Sequence, residues 1–267
     1  MEKGKIPCTA QVLTYNSAST LTRCLEGLQA FDDILVLDGG STDATHNIAQ
    51  RFGARILPQR EDGSSGPITD FSAVRNRGLS LAKYDWFMYL DGDEYISLDF
   101  ASAVSQALSR NTAEVYRVPR LHVLPDGRVI RSGSTYPNYQ IRLFRRSAVN
   151  PFKKKVHEQV HPKRGVTIAN FACALYVPLE PIEELRRKWS TYLDLQVVGL
   201  RPTWQRLFSG LRSNAVKFAV YFSKTLYAYC LGKRPHMPLP YEWENALYHL
   251  RLIHRMTKHV LRNKFHL

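Results

Sequence analysis

Three acidic side chains follow an apolar and aromatic run in the first half of the chain. Asp91, Asp93 and Glu94 come directly after Trp86–Leu90, in the sequence WFMYLDGDE. Residues two apart in an extended chain point to the same side, so the carboxylates of Asp91 and Asp93 can face one ligand. Such a pair repels unless a cation lies near it, and oxygen ligands suit Mg²⁺ or Mn²⁺. This stretch alone is compatible with a cation site and with an acidic turn after a strand.

A second acid, Asp38, ends the apolar run DILVL at 33–37 and is followed by GGSTD. Glycines let backbone N–H groups approach a ligand, and a carboxylate at a strand end can accept hydrogen bonds from a base or a ribose. The spacing differs from the G-x-G-x-x-G fingerprint, so a dinucleotide is disfavoured. A purely structural turn is the alternative interpretation.

The segment His157–His161 matches the H-E-x-x-H pattern of zinc proteases. That motif needs both histidines one turn apart on a helix. Pro162 follows at once and disfavours the helical conformation at His161. We therefore predict an extended or loop segment, in which His157 and Glu158 are site residues and Glu158 is available as a base.

The elements that must position these residues alternate between strand and helix over the first hundred residues. The pattern predicts strands at 6–13, 33–37, 54–57 and 86–90, with helices at about 19–29, 43–52 and 70–82. This alternation is typical of parallel strands joined by helical crossovers. Arg75, on the third helix, could bind a diphosphate through its guanidinium, or be a solvated helix-face arginine.

The pattern changes after a predicted helix at 98–109. A β-hairpin is predicted from the runs 115–124 and 128–131, which flank the turn Pro-Asp-Gly. A further strand is predicted at 138–146, where apolar and polar residues alternate. From about residue 182 the pattern is that of helices. We therefore expect an α/β domain over residues 1–180. The second region, residues 181–267, should be basic, amphipathic and helical.

Charge divides the chain unevenly. Residues 1–112 have a net charge of −4, whereas residues 113–267 have +18. The first part suits a cation, and the second suits anions such as phosphates, nucleic acid or a lipid surface. Within the second part, the segment 215–231 is apolar and aromatic but is interrupted by Lys217 and Lys224. This segment is too short and too charged to span a membrane. An interfacial helix and a helix packed on the sheet remain the two alternatives.

The four cysteines lack the spacing of metal ligands, and the first ten residues lack the apolar region of a signal peptide. A reducing, cytoplasmic setting is therefore expected. A protein in that setting can still sit peripherally on the inner membrane.

Four ordered motifs together resemble the GT-A-fold, family 2 inverting glycosyltransferases. They are TYNSASTLTRCL, ILVLDGGSTDAT, FSAVRNRGLSLA and WFMYLDGDE, the last as the D-x-D motif, and the likeness runs from Cys8 to about His161. The later segments NYQIRLFRR and VHEQV look like the bacterial enzymes that glycosylate the lipopolysaccharide core, including lipooligosaccharide β-1,4-glucosyltransferases. The resemblance implies an α/β GT-A fold, with a mixed, mainly parallel sheet flanked by helices and a basic helical C-terminal extension. It makes residues 1–180 the nucleotide-sugar-binding, catalytic domain and places residues 181–267 on the side of the membrane or the acceptor.

The resemblance also implies a nucleotide-sugar site, with UDP-glucose as the expected donor. Asp38 would contact the base or ribose, and Thr14 and Asn16 would line the same pocket. Arg75 and Arg142 would lie near the diphosphate.

The same resemblance assigns catalytic and metal-binding roles to the acidic residues. Asp93 would bind Mg²⁺ or Mn²⁺ directly, and Asp91 would lie closer to the ribose or a water. Glu158 would be the general base, with Glu94 as its competitor. The diphosphate leaving group would depart in one displacement that inverts the anomeric carbon.

The expected function is transfer of glucose to a lipopolysaccharide-core or lipid-linked acceptor, at the cytoplasmic face of the inner membrane. A sugar nucleotidyltransferase is the nearest alternative enzyme, but it needs a glycine-rich basic loop, and Thr14–Thr20 has neither glycine nor lysine. A non-catalytic protein that binds nucleic acid or a membrane is the alternative from another class. It would leave Asp38, Asp91 and Asp93 unexplained, and nucleic acid is not the expected partner.

Overall fold

A computed structural model describes residues 4–66, 68–154, 159–198 and 203–265. Its strands are β1 Ile6–Thr14, β2 Phe31–Asp38, β3 Arg55–Pro58, β4 Trp86–Asp91, β5 Tyr95–Ile96, β6 Val115–Val123, β7 Asn138–Arg145, β8 Val149–Lys153, β9 Gln159–Pro162, β10 Ile168–Asn170 and β11 Leu175–Pro178. Its helices are α1 Ala18–Leu28, α2 Thr45–Arg51, α3 Phe71–Leu81, α4 Leu98–Arg110, α5 Ile182–Val198, α6 Trp204–Leu231 and α7 Leu239–Phe265.

Four parallel strands, in the order β3-β2-β1-β4, form one half of the main sheet. The register places Thr14 opposite Asp38 and Leu13 opposite Asp91. Because parallel strands end at one edge, this register brings the loops that follow β1, β2 and β4 together. The predicted parallel α/β half is confirmed.

The other half of the sheet is largely antiparallel. β7 pairs with β4, and β6 pairs with β7 from Val115↔Phe144 to Arg120↔Asn138. The predicted hairpin partner of β6, residues 128–131, is reduced to an isolated bridge between Val123 and Val129. On either side of that bridge the Leu124 amide donates to the Arg128 carbonyl and the Ile130 amide donates to the His122 carbonyl, both at 2.9 Å, so the predicted hairpin is present but short. The sheet as a whole is mixed, as predicted.

Helix α1 shows how the sheet is covered. Its buried residues Leu21, Cys24, Leu25 and Leu28 recur at steps of three and four, which places them on one helical face against the core. Full burial of each leucine contributes roughly 1.5–3 kcal/mol. Ser17 precedes the helix, so the loop after β1 is held at the carboxyl edge by a well-packed element.

The chain divides into two compact units. The first comprises Met1–Leu121 and Asn138–Pro178, and the second comprises His122–Pro137 and Leu179–Leu267. The predicted helices of the C-terminal region are present as α5, α6 and α7. Residues 122–137 belong with them, since the Ser134 amide donates to the Glu242 carboxylate at 2.8 Å. Over the described residues, no helix has both the length and the apolar character that crossing a membrane requires.

Candidate active site

Asp38 is buried at the end of β2, where its carboxylate accepts hydrogen bonds from several donors. One oxygen accepts from the hydroxyls of Thr14 at 2.9 Å and Ser41 at 2.5 Å. The other accepts from the amides of Gly40 and Ser41 at 2.9 and 2.8 Å and lies 3.0 Å from His46 Nε2. A carboxylate has about four lone-pair sites. These bonds occupy them, so Asp38 holds the glycine loop in shape.

The hydrogen bonds to Asp38 also set its ionisation. Burial acts to raise the pKa of this carboxyl, but the hydrogen bonds from Ser41, Thr14 and His46 outweigh burial and hold the pKa below the ordinary value of an aspartate. A depressed pKa contributes stability that is complete above the unfolded-state value and is lost as the pH falls through the folded-state value.

We therefore expect Asp38→Asn to destabilise the protein at pH 7, and the deficit to shrink as the pH falls below about 4. Urea unfolding of both proteins between pH 7 and about pH 3 measures this difference. A stability deficit of the same size at every pH would contradict the proposed charge dependence.

The loop after β1 lies beside the glycine loop. Asn16 has a left-handed backbone, and its side-chain oxygen accepts from the Thr42 amide at 2.8 Å. Tyr15 is 46% exposed, and a Cβ added at Gly39 would lie 3.1 Å from its ring. The absence of a side chain at Gly39 therefore keeps this aromatic face accessible. Sequence reasoning did not single out Tyr15, although it lies between two predicted site residues, Thr14 and Asn16.

Arg75 is almost fully buried on α3 and is directed at the end of β4. Its guanidinium donates to the Leu90 carbonyl at 3.1 Å and forms an ion pair with Asp91. The side chain of Asp91 remains 41% exposed. Arg75 is thus an internal partner that orients one carboxylate oxygen of Asp91.

Glu94 is fully buried and is the last residue of the turn that follows β4. Its carboxylate accepts from Arg120 Nε at 2.6 Å, from Arg142 Nη2 at 3.0 Å and from the Asp91 amide at 3.0 Å. In return, the Glu94 amide donates to the Asp91 carbonyl at 3.0 Å. These bonds fix the Asp91–Glu94 turn and give Glu94 a positioning role within the described structure.

Arg142 is buried on β7, and its position follows from its bonds to the same turn. It donates to Glu94 and to the Tyr89 carbonyl, and its guanidinium lies 4.4 Å from the centre of the Tyr89 ring. The Arg75 guanidinium lies 4.5 Å from that ring. Tyr89 therefore links the two predicted diphosphate-binding arginines by cation–π contacts.

Asp93 is half-buried within the same turn. The neighbouring Gly92 packs closely, since its amide donates to the Leu13 carbonyl at 2.9 Å and an added Cβ would lie 3.1 Å from that oxygen. The buried thiol of Cys24 lies behind the turn. Burial raises its pKa well above the usual range, and the charges of Glu94, Asp93 and Asp91 raise it further. A neutral thiol is a poor metal ligand, so the donors here are hard oxygens.

This donor set fits a small divalent cation. Across the part of the chain that the structure describes, no group of three or more His, Cys, Asp or Glu side chains could enclose a metal. Mg²⁺ is usually bound by one or two carboxylates together with substrate phosphates. Asp91 and Asp93 are the two carboxylates that would hold such a cation here, together with the phosphates of a ligand.

The predicted base, Glu158, and its neighbour His157 lie outside the described residues. The chain resumes at Gln159 in β9, which pairs with β8, so His161 lies on a strand. A zinc-protease helix would require His161 to be helical. The described strand rules out that interpretation.

Comparison with known proteins identifies the family. The model of glycosyl transferase family 2 matches residues 9–176, which is well over half of the chain. The chain belongs to glycosyltransferase family 2.

Two curated relatives show how far the likeness of this family 2 glycosyltransferase extends. It is 28% identical over 214 residues to the lipopolysaccharide core biosynthesis glycosyltransferase LpsC of Rhizobium meliloti, covering 76% of this chain and 77% of LpsC. It is 31% identical over 150 residues to a TPR repeat-containing protein of Synechococcus elongatus, covering 56% of this chain but only 34% of that protein. Among solved structures, S. aureus TarS 1-349 in complex with UDP-GlcNAc aligns with 97% of this chain and 89% of its own, at 14% identity and a TM-score of 0.49.

Proposed function

We propose that this family 2 glycosyltransferase transfers glucose from UDP-glucose to a hydroxyl of a lipopolysaccharide-core or lipid-linked acceptor, with inversion. The observation that supports this most directly is the joined carboxyl edge of β1, β2 and β4, where the Asp38 loop and the Asp91–Glu94 turn adjoin. The likeness to LpsC, over most of both chains, supports the lipopolysaccharide-core acceptor.

The nucleoside would bind at the loops after β1 and β2. Asp38, Thr14 and Asn16 shape this pocket through their hydrogen bonds, and the exposed ring of Tyr15 offers a stacking surface for a base. The diphosphate would lie toward Asp91. Arg75 and Arg142 contribute positive charge beneath it and keep Asp91 and Glu94 in place.

Mg²⁺ or Mn²⁺ would be held by Asp93 directly, with Asp91 nearer the ribose or a water. When bound, such a cation neutralises charge that develops on the departing diphosphate. The chain's own contribution is to hold the two carboxylates in a fixed turn. Glu94 accepts a hydrogen bond from the Asp91 amide, and Arg75 forms an ion pair with the Asp91 carboxylate. Gly92 fixes the turn to β1 through its amide.

The acceptor hydroxyl must lose a proton as it attacks the anomeric carbon. In our proposal Glu158 takes that proton. Glu94 is the weaker candidate, because its carboxylate is fully buried and already bonded to Arg120 and Arg142. The proposal places the reaction at the cytoplasmic face of the inner membrane, where a lipid-linked acceptor would be presented. The strongly basic C-terminal part supports that placement.

A panel of nucleotide sugars tests the donor. Thermal unfolding is measured with each sugar nucleotide, with and without Mn²⁺, because a ligand that binds only the folded state raises its stability. UDP-glucose with Mn²⁺ is expected to give the largest shift, and UDP release with core oligosaccharide acceptors then tests transfer. A larger shift with another nucleotide sugar would replace UDP-glucose, and transfer without added or bound metal would refute the metal dependence.

We expect Glu158→Gln to lower kcat by at least about 100-fold while the Kd for UDP-glucose stays unchanged, since general-base catalysis contributes about 10²–10⁴-fold. The adjacent Gln159→Ala is the matched control and should keep wild-type kcat. Wild-type kcat in Glu158→Gln would move the base to another residue.

A further inference from the structure

Helix α6 has two apolar faces, and α7 packs against one of them. Asn214 on α6 bonds to His249 on α7 at 3.0 Å, and Thr225 bonds to Glu242 at 3.1 Å. Buried Leu207 and Ala228 lie on the same side of the helix. The spacing of these residues follows a heptad, so this side is the seam between the two helices.

The other apolar face of α6 is exposed. Phe208, Ala215, Ala219, Phe222 and Leu226 follow one another at steps of seven, four, three and four residues, which makes one continuous stripe. Val216, Val220 and Tyr227 form a parallel stripe beside it. We call this surface the outer face of α6, with Phe208, Val216, Val220, Phe222, Leu226 and Tyr227 as its large members. Phe208 is 63% exposed, Leu226 60% and Tyr227 66%.

A surface of this kind is unusual on a soluble protein. Contiguous exposed apolar patches generally indicate an interaction site. The helix has 28 residues, which corresponds to a length of about 42 Å. The outer face therefore fits an extended apolar surface rather than a small ligand.

The charges on α6 indicate the chemistry of that surface. Between Trp204 and Leu231 the sequence contains four lysines and arginines and no aspartate or glutamate. Lys217 and Lys224 are exposed seven residues apart, along one margin of the outer face. Lysines placed there can extend their amines to a layer of phosphates while the apolar side chains enter a hydrocarbon layer.

We propose that the outer face of α6 lies in the plane of an anionic lipid bilayer, with Lys217 and Lys224 at the level of the phosphates. Pairing with the same face of a second copy is disfavoured, because it would bring together surfaces that have only positive charges. The purpose of this docking rests on the proposed lipid-linked acceptor. The docking itself can be measured without sugar transfer.

The first test removes apolar side chains. The variant Phe208→Ser/Phe222→Ser/Leu226→Ser is expected to reduce the partition constant onto vesicles of phosphatidylglycerol and phosphatidylethanolamine at least tenfold, measured by cosedimentation of the full chain. Leu98→Ser/Ile168→Ser alters exposed apolar residues of the first unit and should partition like wild type. Circular dichroism checks that both variants fold.

The second test removes charge. Lys217→Gln/Lys224→Gln should lower partition onto the anionic vesicles by about fivefold for each lysine, and leave partition onto phosphatidylcholine vesicles unchanged. Lys83→Gln/Lys153→Gln, exposed on the first unit, is the matched control.

Several results would overturn the proposal. One is a triple serine variant whose partition constant equals that of the wild type. Another is a wild-type protein that does not bind to anionic vesicles. A concentration-dependent dimer that the triple variant abolishes, without vesicle binding, would assign the face to a second copy. UDP release from UDP-glucose with a water-soluble acceptor separates the two claims. Turnover without vesicle binding refutes only the docking, and vesicle binding without turnover refutes only the proposed reaction.

Discussion

Replacing Asp93 with asparagine is expected to lower kcat/KM by about 1000-fold. The change keeps the size of the side chain but removes the charge that would hold a divalent cation against the diphosphate. Charge stabilisation of this kind contributes several kcal/mol, and each 1.4 kcal/mol corresponds to a tenfold change in rate. Steady-state UDP release with donor, acceptor and Mn²⁺ measures the effect.

A binding measurement separates this metal role from a general disturbance of the site. Calorimetry of UDP binding to the wild type should show a Kd that tightens with Mn²⁺, whereas the Asp93→Asn protein should bind equally with and without it. Asp99→Asn, an exposed acid in the first turn of α4, should behave like wild type in both assays. If Asp93→Asn kept the Mn²⁺ dependence and the turnover of the wild type, Asp93 would not be the metal ligand.

Replacing Glu94 with glutamine is expected to lower the stability of the protein by about 3–5 kcal/mol. Removing one member of a buried ion pair leaves its partner charged in a poorly solvated place, which has a cost of that size. Here the partners are Arg142, which is 4% exposed, and Arg120. The expected fall in Tm is about 10 °C, at about 2–4 °C for each kcal/mol.

The same substitution distinguishes positioning from catalysis. A Glu94 that acts only as a base would give a glutamine variant with wild-type Tm and a loss confined to kcat. A Glu94 that positions the turn would give a lower Tm and weaker Mn²⁺-dependent UDP binding as well. Glu26→Gln, exposed on α1, provides the control for charge removal and should leave both quantities unchanged.

The sequence predicts the parallel half of the fold well, because its signals are local. The apolar run Trp86–Leu90 is buried as a strand, and the run before Asp38 is another. The Pro-Asp-Gly turn correctly predicts the short hairpin at the end of β6, but a local turn signal contains no information about the distant strand β7. The pairing of β6 with β7 joins residues that are 18 to 29 positions apart in sequence.

The environment of Glu94 could not be predicted for the same reason. Because Glu94 follows two aspartates, the sequence predicts that it belongs to an exposed acidic turn. Glutamate is seldom fully buried unless it is paired. Its partners, Arg120 and Arg142, reach it from β6 and β7 through the register of those strands. Nothing in the spacing of the three residues indicates that they meet.

The turn from Asp91 to Glu94 has a further consequence for how donor preference could change over evolution. Buried bonds from Arg75, Glu94 and β1 set its shape, so it is a preorganised template in which substitution of Asp91, Gly92 or Glu94 would break contacts that maintain the turn. The exposed ring of Tyr15 has fewer such constraints. Substitutions that adapt the enzyme to another sugar nucleotide should therefore accumulate at exposed positions such as Tyr15, while the acidic turn stays unchanged.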